Sequence, residues 1–390
     1  MAPLGATLVA VGVGVAVALA KTQLQQRRSH SDRDQPGGGG RGGRAPNPRR
    51  PALYRGEPTA EGLRRVVLGQ LDLAIELLES HRGAARPATD APDAEPARRE
   101  PDAAAARGAE IVHDTRKALK RLRALLRLLR DELGPKRYAR ENAALRDCGR
   151  RLAGARDAEV MLATLDSLVG RDPARLQRSA AVRQLHAQLL AERDTAAIHA
   201  IGDPRVRAEV LGELRAVRAR AERWQLRERG FKLLAPGLER VYRRGRSDMR
   251  VVRRAAKRTT GKRRARAKRR RAIAGQSVTA LHVWRKRVKD LRYAAETLDR
   301  GGKRYRPVRR IARRADRLGE MLGEEHDLAL LEARVRERRR QFAGERKTRE
   351  RLLKLIAARR RRLRKRALRE GQRLYERRPR RFVRRVKRAR

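Results

Sequence analysis

The chain has one cysteine, Cys148, so no disulfide can form within it, and this fits a reducing compartment. Aromatic side chains are scarce at 3% of 390 residues. That scarcity argues against single-stranded nucleic-acid binding of the kind in which bases stack on rings. Acids are few as well: 45 Asp and Glu face 103 Lys and Arg, a formal net charge of +58. A compact chain so charged repels itself unless something negative binds, so the expected partner is a polyanion: nucleic acid, an anionic membrane surface or a chain of phosphates. A gene rich in G and C is the alternative source of the arginine excess outside the repeated motifs described below. Alternating apolar and polar runs long enough for a sheet are missing too. After Ala109 apolar residues recur at helical spacing almost to the end, and the expected fold class is all-α.

Residues 1–20, MAPLGATLVAVGVGVAVALA, carry no charged side chain, and Lys21, Arg27 and Arg28 follow. Twenty helical residues just span a hydrocarbon core, and positive charge lies after the apolar run rather than before it. The segment reads as a membrane anchor with the body on the cytoplasmic side, against the alternatives of a signal peptide, a wrongly assigned start and a disordered tail. Residues 21–59 read as a disordered basic linker, centred on GGGGRGGRAPNPRRP. A helical body is expected over 60–375, its first half about 60–245 and its second about 246–375. Its first helix buries Leu63, Val66, Val67, Leu71, Ile75 and Leu78. Arg250 to Arg271 holds 13 Lys or Arg in 22 residues and no acid, and Gly261 argues against an unbroken helix there. Residues 376–390 carry nine Lys or Arg in fifteen and read as a solvated basic tail.

Within the body one pattern occurs twice. EIVHDTRKALKRLRALLRLL from Glu110 and ALHVWRKRVKDLRYAAETL from Ala280 share HxxRKxxKxLR. At about 100° per residue, Leu119, Leu122, Leu126, Leu129 and Leu133 form one apolar stripe, and His113, Arg116, Lys117, Lys120, Arg123 and Arg127 gather on the other side. In the second copy His282, Arg285, Lys286, Lys289 and Arg292 take the same basic positions, opposite Val288, Leu291, Ala295 and Leu298. Like charges at these spacings destabilise a helix by some tenths of a kcal/mol per pair, so their recurrence in register points to a ligand rather than to a merely solvated face. The likeness extends further. GPKRY at Gly134 matches GGKRY at Gly301, and LAGARDAEVMLATL at Leu152 matches MLGEEHDLALLEARV at Met321. Asp157 follows His113 by 44 residues, and Asp327 follows His282 by 45. An internal duplication is therefore expected, with two similar four-helix-bundle-like halves whose basic faces share a central groove.

These two motif copies, each followed by a segment such as RDAEV or HDLAL, resemble the CHAD domain, the conserved histidine α-helical domain, over about Ala60 to Tyr375. The resemblance implies a helical domain of two bundle-like halves that binds inorganic polyphosphate in a basic groove and associates with polyphosphate granules. Members of the family are often joined to a CYTH domain, marked by an ExExK strand, and no such motif occurs in this sequence. Ala158 and Glu159, and His326 where the first half has Arg156, depart from the family pattern.

Polyphosphate has no bases to read, so recognition must come from charge and hydrogen-bond donors. Arginine offers a planar fork to phosphate oxygens and lysine a mobile point charge. The polyphosphate-binding residues expected are His113, Arg116, Lys117, Lys120, Arg123 and Arg127 in the first half, and His282, Arg285, Lys286, Lys289 and Arg292 in the second. Each histidine is either a donor to phosphate, charged when ligand is bound, or a helix-terminal group that orients its arginine neighbours. Asp157 and Asp327 read as capping or salt-bridging residues, and Tyr138, Tyr293 and Tyr305 as closing the interior. No catalytic residue, metal site or cofactor is expected, and the protein reads as a non-catalytic binder. Two other readings stay open: non-specific binding or compaction of nucleic acid, suggested by the Arg250 to Arg271 run and the tail, and a polyphosphate-processing enzyme. The expected location is cytoplasmic, at granules or at the inner face of the membrane through residues 1–20.

Overall fold

The apolar stripe expected in the first helix is buried in full: Leu63, Val66, Val67, Leu71, Ile75 and Leu78 all lie inside. The computed structural model describes residues 47, 49–80, 100–152, 155–260 and 267–389. The expected anchor at 1–20 and residues 21–46 and 48 of the expected linker lie outside these residues. The described end of that linker is not disordered: Leu53 is buried, Glu57 accepts from Arg65 and Thr59 opens the first helix, because an apolar side chain and a carboxylate give the segment something to pack and pair with. Among the described residues there is no strand and no helix long and apolar enough to cross a membrane.

Twelve α-helices make up the described chain. They are α1 (Thr59–Ser80), α2 (Glu100–Leu128), α3 (Arg130–Arg151), α4 (Ala155–Val169), the single turn α5 (Pro173–Leu176), α6 (Ala180–Gly202), α7 (Pro204–Glu222), α8 (Ala235–Thr260), α9 (Ala267–Leu298), α10 (Arg306–Glu337), α11 (Arg346–Leu374) and α12 (Pro379–Arg388). The two motif helices are α2 and α9. Each packs between the helix before it and the helix after it: α1 and α3 flank α2, and α8 and α10 flank α9. α2 and α9 also pack on each other.

Local chemistry explains the breaks. Gly134 adopts φ 71° inside α3, ahead of Pro135, and Gly301 and Gly302 adopt φ 88° and 75° between α9 and α10. Only glycine enters that region without cost, so both copies of the GxKRY motif turn the chain out of a motif helix. Asp203 caps α7 by accepting from the backbone N–H groups of Arg205 and Val206, with Pro204 at the first helical position. This break divides α6 from α7, whereas α11 runs unbroken. In the same way α3 ends at Arg151 and α4 starts at Ala155, while α10 is continuous.

Two apolar cores result. The larger joins α1, α2, α3, α7, α8, α9, the first half of α10, the end of α11 and α12. The smaller joins α4, α5 and α6 to the second half of α10, Phe342 and most of α11. Each core draws on both sides of the boundary drawn in the sequence at residues 245 and 246.

The last segment differs from its expected form as a solvated tail. α12 turns Phe382 and Val386 inward, and Phe382 stacks on Tyr242 with ring centroids 3.9 Å apart. Its arginines occupy the other face, so a strongly basic sequence still carries enough apolar side chain at helical spacing to dock.

Candidate polyanion-binding site

The basic face of each motif helix has two parts with different surroundings. On α2, Arg123 donates from Nε to Asn142 Oδ1 at 3.1 Å, and Arg127 donates from Nη1 to the Arg123 carbonyl at 2.7 Å. Arg127 also lies 3.2 Å from Asp290 Oδ1 on α9, and Arg121 lies 3.7 Å from Glu296 Oε2. The 169-residue offset that aligns His113 with His282 aligns Arg121 with Asp290 and Arg127 with Glu296. The two ion pairs are therefore reciprocal: the same two positions meet on each helix, with both cations on α2 and both acids on α9. Burial pushes the Asp290 carboxyl up, against the pull of Arg127, Arg287 and Arg123. Burial and the nearby Arg127 hold the Arg123 guanidinium below its ordinary range. Arg292 is ion-paired to Glu296, with Nε 2.7 Å from Oε1, and to Asp316. Burial alone would lower its pKa, but those carboxylates raise it.

The histidine ends differ. Arg116 donates from Nη1 to the Leu152 carbonyl at 3.2 Å, close to where α3 ends. Lys117 lies 3.7 Å from Asp114 Oδ1, and His113 and Lys120 are half-buried. In the second copy the His282 ring lies 4.6 Å from the His326 ring on α10. Arg285 lies across Gly323 of α10, where an added Cβ would come 3.2 Å from its Nη2. Lys289 runs beside Gly319, and Lys286 is exposed. The first copy has a matching contact, since Leu119 faces Gly149 as Val288 faces Gly319. Small residues at these points let a motif helix and its neighbour approach closely. His282 Nδ1 and Arg285 Nε are both buried without a hydrogen-bond partner. Burial first, then Lys286, His326 and Arg285, depress the His282 pKa to about 4. Its imidazole is neutral at pH 7.

The structure thus brings together His282, Arg285 and Lys286 with His326, a residue that sequence reasoning noted only as a departure from the first half. It places Arg123, Arg127 and Arg292 among carboxylates and amides nearer the contact between the helices. Tyr293 and Tyr305 are buried as expected, and Tyr138 packs partly against the larger core. The side chain of Asp157 lies outside the described residues. Sequence reasoning also passed over Arg130, Arg240, Arg244 and Arg287, which gather near Tyr138. Arg240 and Arg244, four apart on a helix of high apolar contrast, were the available signal.

These features define an all-helical, strongly basic protein in which two related helices carry the cationic side chains. A family model for the CHAD domain matches residues 95–336, more than half of the chain, and the chain belongs to the CHAD-domain family. No curated protein matches it.

Proposed function

We propose that the protein binds inorganic polyphosphate without cleaving it, through the histidine ends of α2 and α9. Membership in the CHAD-domain family is compatible with a polyphosphate-related role. The observation that carries the reading is the pair of unpartnered buried atoms, His282 Nδ1 and Arg285 Nε, beside exposed Lys286. Buried polar atoms are nearly always bonded, and those left without a partner mark places where a ligand can supply one. Burial first, then the charges of Lys286 and Arg285, keep His282 neutral, and a phosphate beside them would offset those charges, so ligand and proton would enter together. Arg116, Lys117 and Lys120, with His113, form the first-copy counterpart, and Lys289 extends the second. Arg123, Arg127 and Arg292 hold the helices in place and shape the field around the ligand. The reciprocal pairing of α2 and α9 supports an origin by duplication and a shared groove. Localisation at cytoplasmic polyphosphate granules follows from this ligand, and attachment through residues 1–20 would add a membrane.

The test compares long-chain polyphosphate with duplex DNA at physiological salt, using the full chain and a variant with alanine at Arg116, Lys120, Arg285 and Lys289. Tight polyphosphate binding that resists DNA and is lost in the variant is expected, with no orthophosphate released with or without magnesium. Equal binding of both polyanions, undiminished in the variant, would leave only a basic protein that attracts any negative polymer.

A further inference from the structure

α11 lies beyond residues 95–336, which match the family model. Between Lys354 and Arg369 it holds nine Lys or Arg and no acid. Arg359, Arg360 and Arg364 pair with Glu324, Glu325 and Glu332 of α10. The other six, Lys354, Arg361, Arg362, Lys365, Arg366 and Arg369, are exposed, and among the described residues none of them has a carboxylate within ion-pair distance. At about 100° per residue these six fall within an arc of about 140°, opposite the buried Leu352, Ile356, Leu363 and Ala367. They run along about 22 Å of one continuous helix. Arg361 and Lys365, Arg362 and Arg366, and Lys365 and Arg369 stand four residues apart, and like charges at that spacing oppose the helix that carries them.

This face is turned away from the histidine ends. α9 and α11 each pack on α8 and α10, so they meet across the interior of one bundle, where Gly371 lies against the buried Trp284 ring. Trp284 stands about 200° round α9 from His282, while the six cations of α11 point outward. The two basic faces therefore lie on opposite sides of the bundle.

The chemistry and shape of the face select its partner. Every exposed residue of α11 is polar or charged, so nothing there enters a bilayer or stacks on unpaired bases. Duplex DNA carries about one charge per 1.7 Å of its axis, so about 22 Å of it offers about 13 phosphates to the six cations. Its major groove, about 12 Å wide, admits a helix, and cations spread over both flanks of that helix reach phosphates on either rim. The major groove of duplex RNA is too narrow for this. We infer that the exposed face of α11 binds duplex DNA through its phosphates. Such contacts carry no sequence information, so binding is indifferent to base sequence. The face is separate from the basic run at Arg250 to Arg271 and from α12, and it does not depend on phosphate-chain binding at the histidine ends.

Binding of a short duplex DNA to the full chain at stepped salt tests it. Wild type is compared with Arg361→Gln Arg362→Gln Lys365→Gln Arg366→Gln, and with Arg380→Gln Arg381→Gln Arg384→Gln Arg385→Gln, which removes the same charge from α12. All eight side chains are exposed and lack carboxylate partners, so both variants should melt at or above the wild-type temperature. The first should lose about tenfold or more in affinity, and its slope of log affinity against log salt should fall by about 3, close to one for each contact removed. The second should bind as wild type does. If the first variant fails to fold, acetylation of lysines in the wild-type protein carries the test. DNA should protect Lys354 and Lys365 and leave Lys286 and Lys387 reactive, all four being exposed. Long polyphosphate should protect Lys286 and leave Lys365 reactive; if it protects neither, the histidine-end reading fails and this one stands. Equal loss of DNA affinity in both variants, an equal loss for duplex RNA or anionic phospholipid vesicles in the first, or no protection of Lys354 and Lys365 by DNA would each overturn the inference.

Discussion

His282 shows how far neighbours can move one side chain. Its pKa of about 4 lies below the ordinary value for histidine of about 6.5 because the ring is partly buried and faces Lys286, His326 and Arg285. As pH falls from about 6.5 toward 4, the unfolded chain takes up a proton at this position before the folded protein does, so the folded state loses stability across that window. Denaturant titrations at stepped pH should show this decline, and His282→Gln should make it shallower. Polyphosphate binding should run the other way, strengthening between pH 7 and 5 as the bound phosphate helps His282 to charge. Cys148 is the opposite case, a thiol that burial pushes up to about 11. It is expected to resist thiol reagents in the folded protein and to react after unfolding, which mass spectrometry of alkylated samples can follow.

At the scale of elements, arginine joins helices. Glu325 of α10 is buried and meets Arg360 and Arg364 of α11 at 2.9 and 2.7 Å, and Glu332 pairs with Arg360 and Arg336. Removing one partner of a buried ion pair leaves the other charge uncompensated, at a cost of about 3 to 5 kcal/mol. Glu325→Ala should therefore lower the unfolding midpoint strongly, with added loss from the cavity. α12 depends on packing instead. Phe382→Ala should release Pro379–Arg388 from Tyr242 and expose the C-terminal arginines to trypsin, with a loss of about 3 kcal/mol or more if the segment unfolds with the larger core. Trypsin resistance equal to wild type would show that the helix is held by other contacts.

For the whole molecule the governing quantity is the net charge of +58. Self-repulsion on this scale makes the folded state sensitive to anything that binds or screens it. Long polyphosphate should raise the thermal unfolding temperature, since a ligand of the folded state stabilises it by mass action. Affinity should fall steeply as salt rises, because each phosphate contact releases condensed counter-ions. The reciprocal pairing of α2 with α9 also acts at this scale. Asp290→Asn would take the carboxylate from Arg127 and leave Arg287 with Asp248 alone. It would also remove a buried charge that its site disfavours, so only a small change in the unfolding midpoint is expected at pH 7, which thermal melts of the two proteins can check.

The all-helical class, the apolar stripes and the two motif helices could be read from the sequence, because 3.6-residue periodicity is a local property that the chain carries wherever it folds. Leu119, Leu122, Leu126, Leu129 and Leu133 are buried, and so are Val288, Leu291, Ala295 and Leu298. The sequence alone also determined that His113 with its arginines and His282 with its arginines occupy equivalent places on their helices. It could not tell which of those arginines have carboxylates to meet. Arg292 and Arg127 look like Arg285 and Arg116 on a helical wheel, but Asp316, Glu296 and Asp290 reach them from neighbouring elements or turns. The docking of α12, the approach of His326 to His282 and the gathering of five arginines near Tyr138 were equally out of reach. Each joins residues far apart in the chain. Only tertiary structure decided them, because the charge and hydration of a side chain depend on what other helices place within a few ångströms of it, and no local period records that.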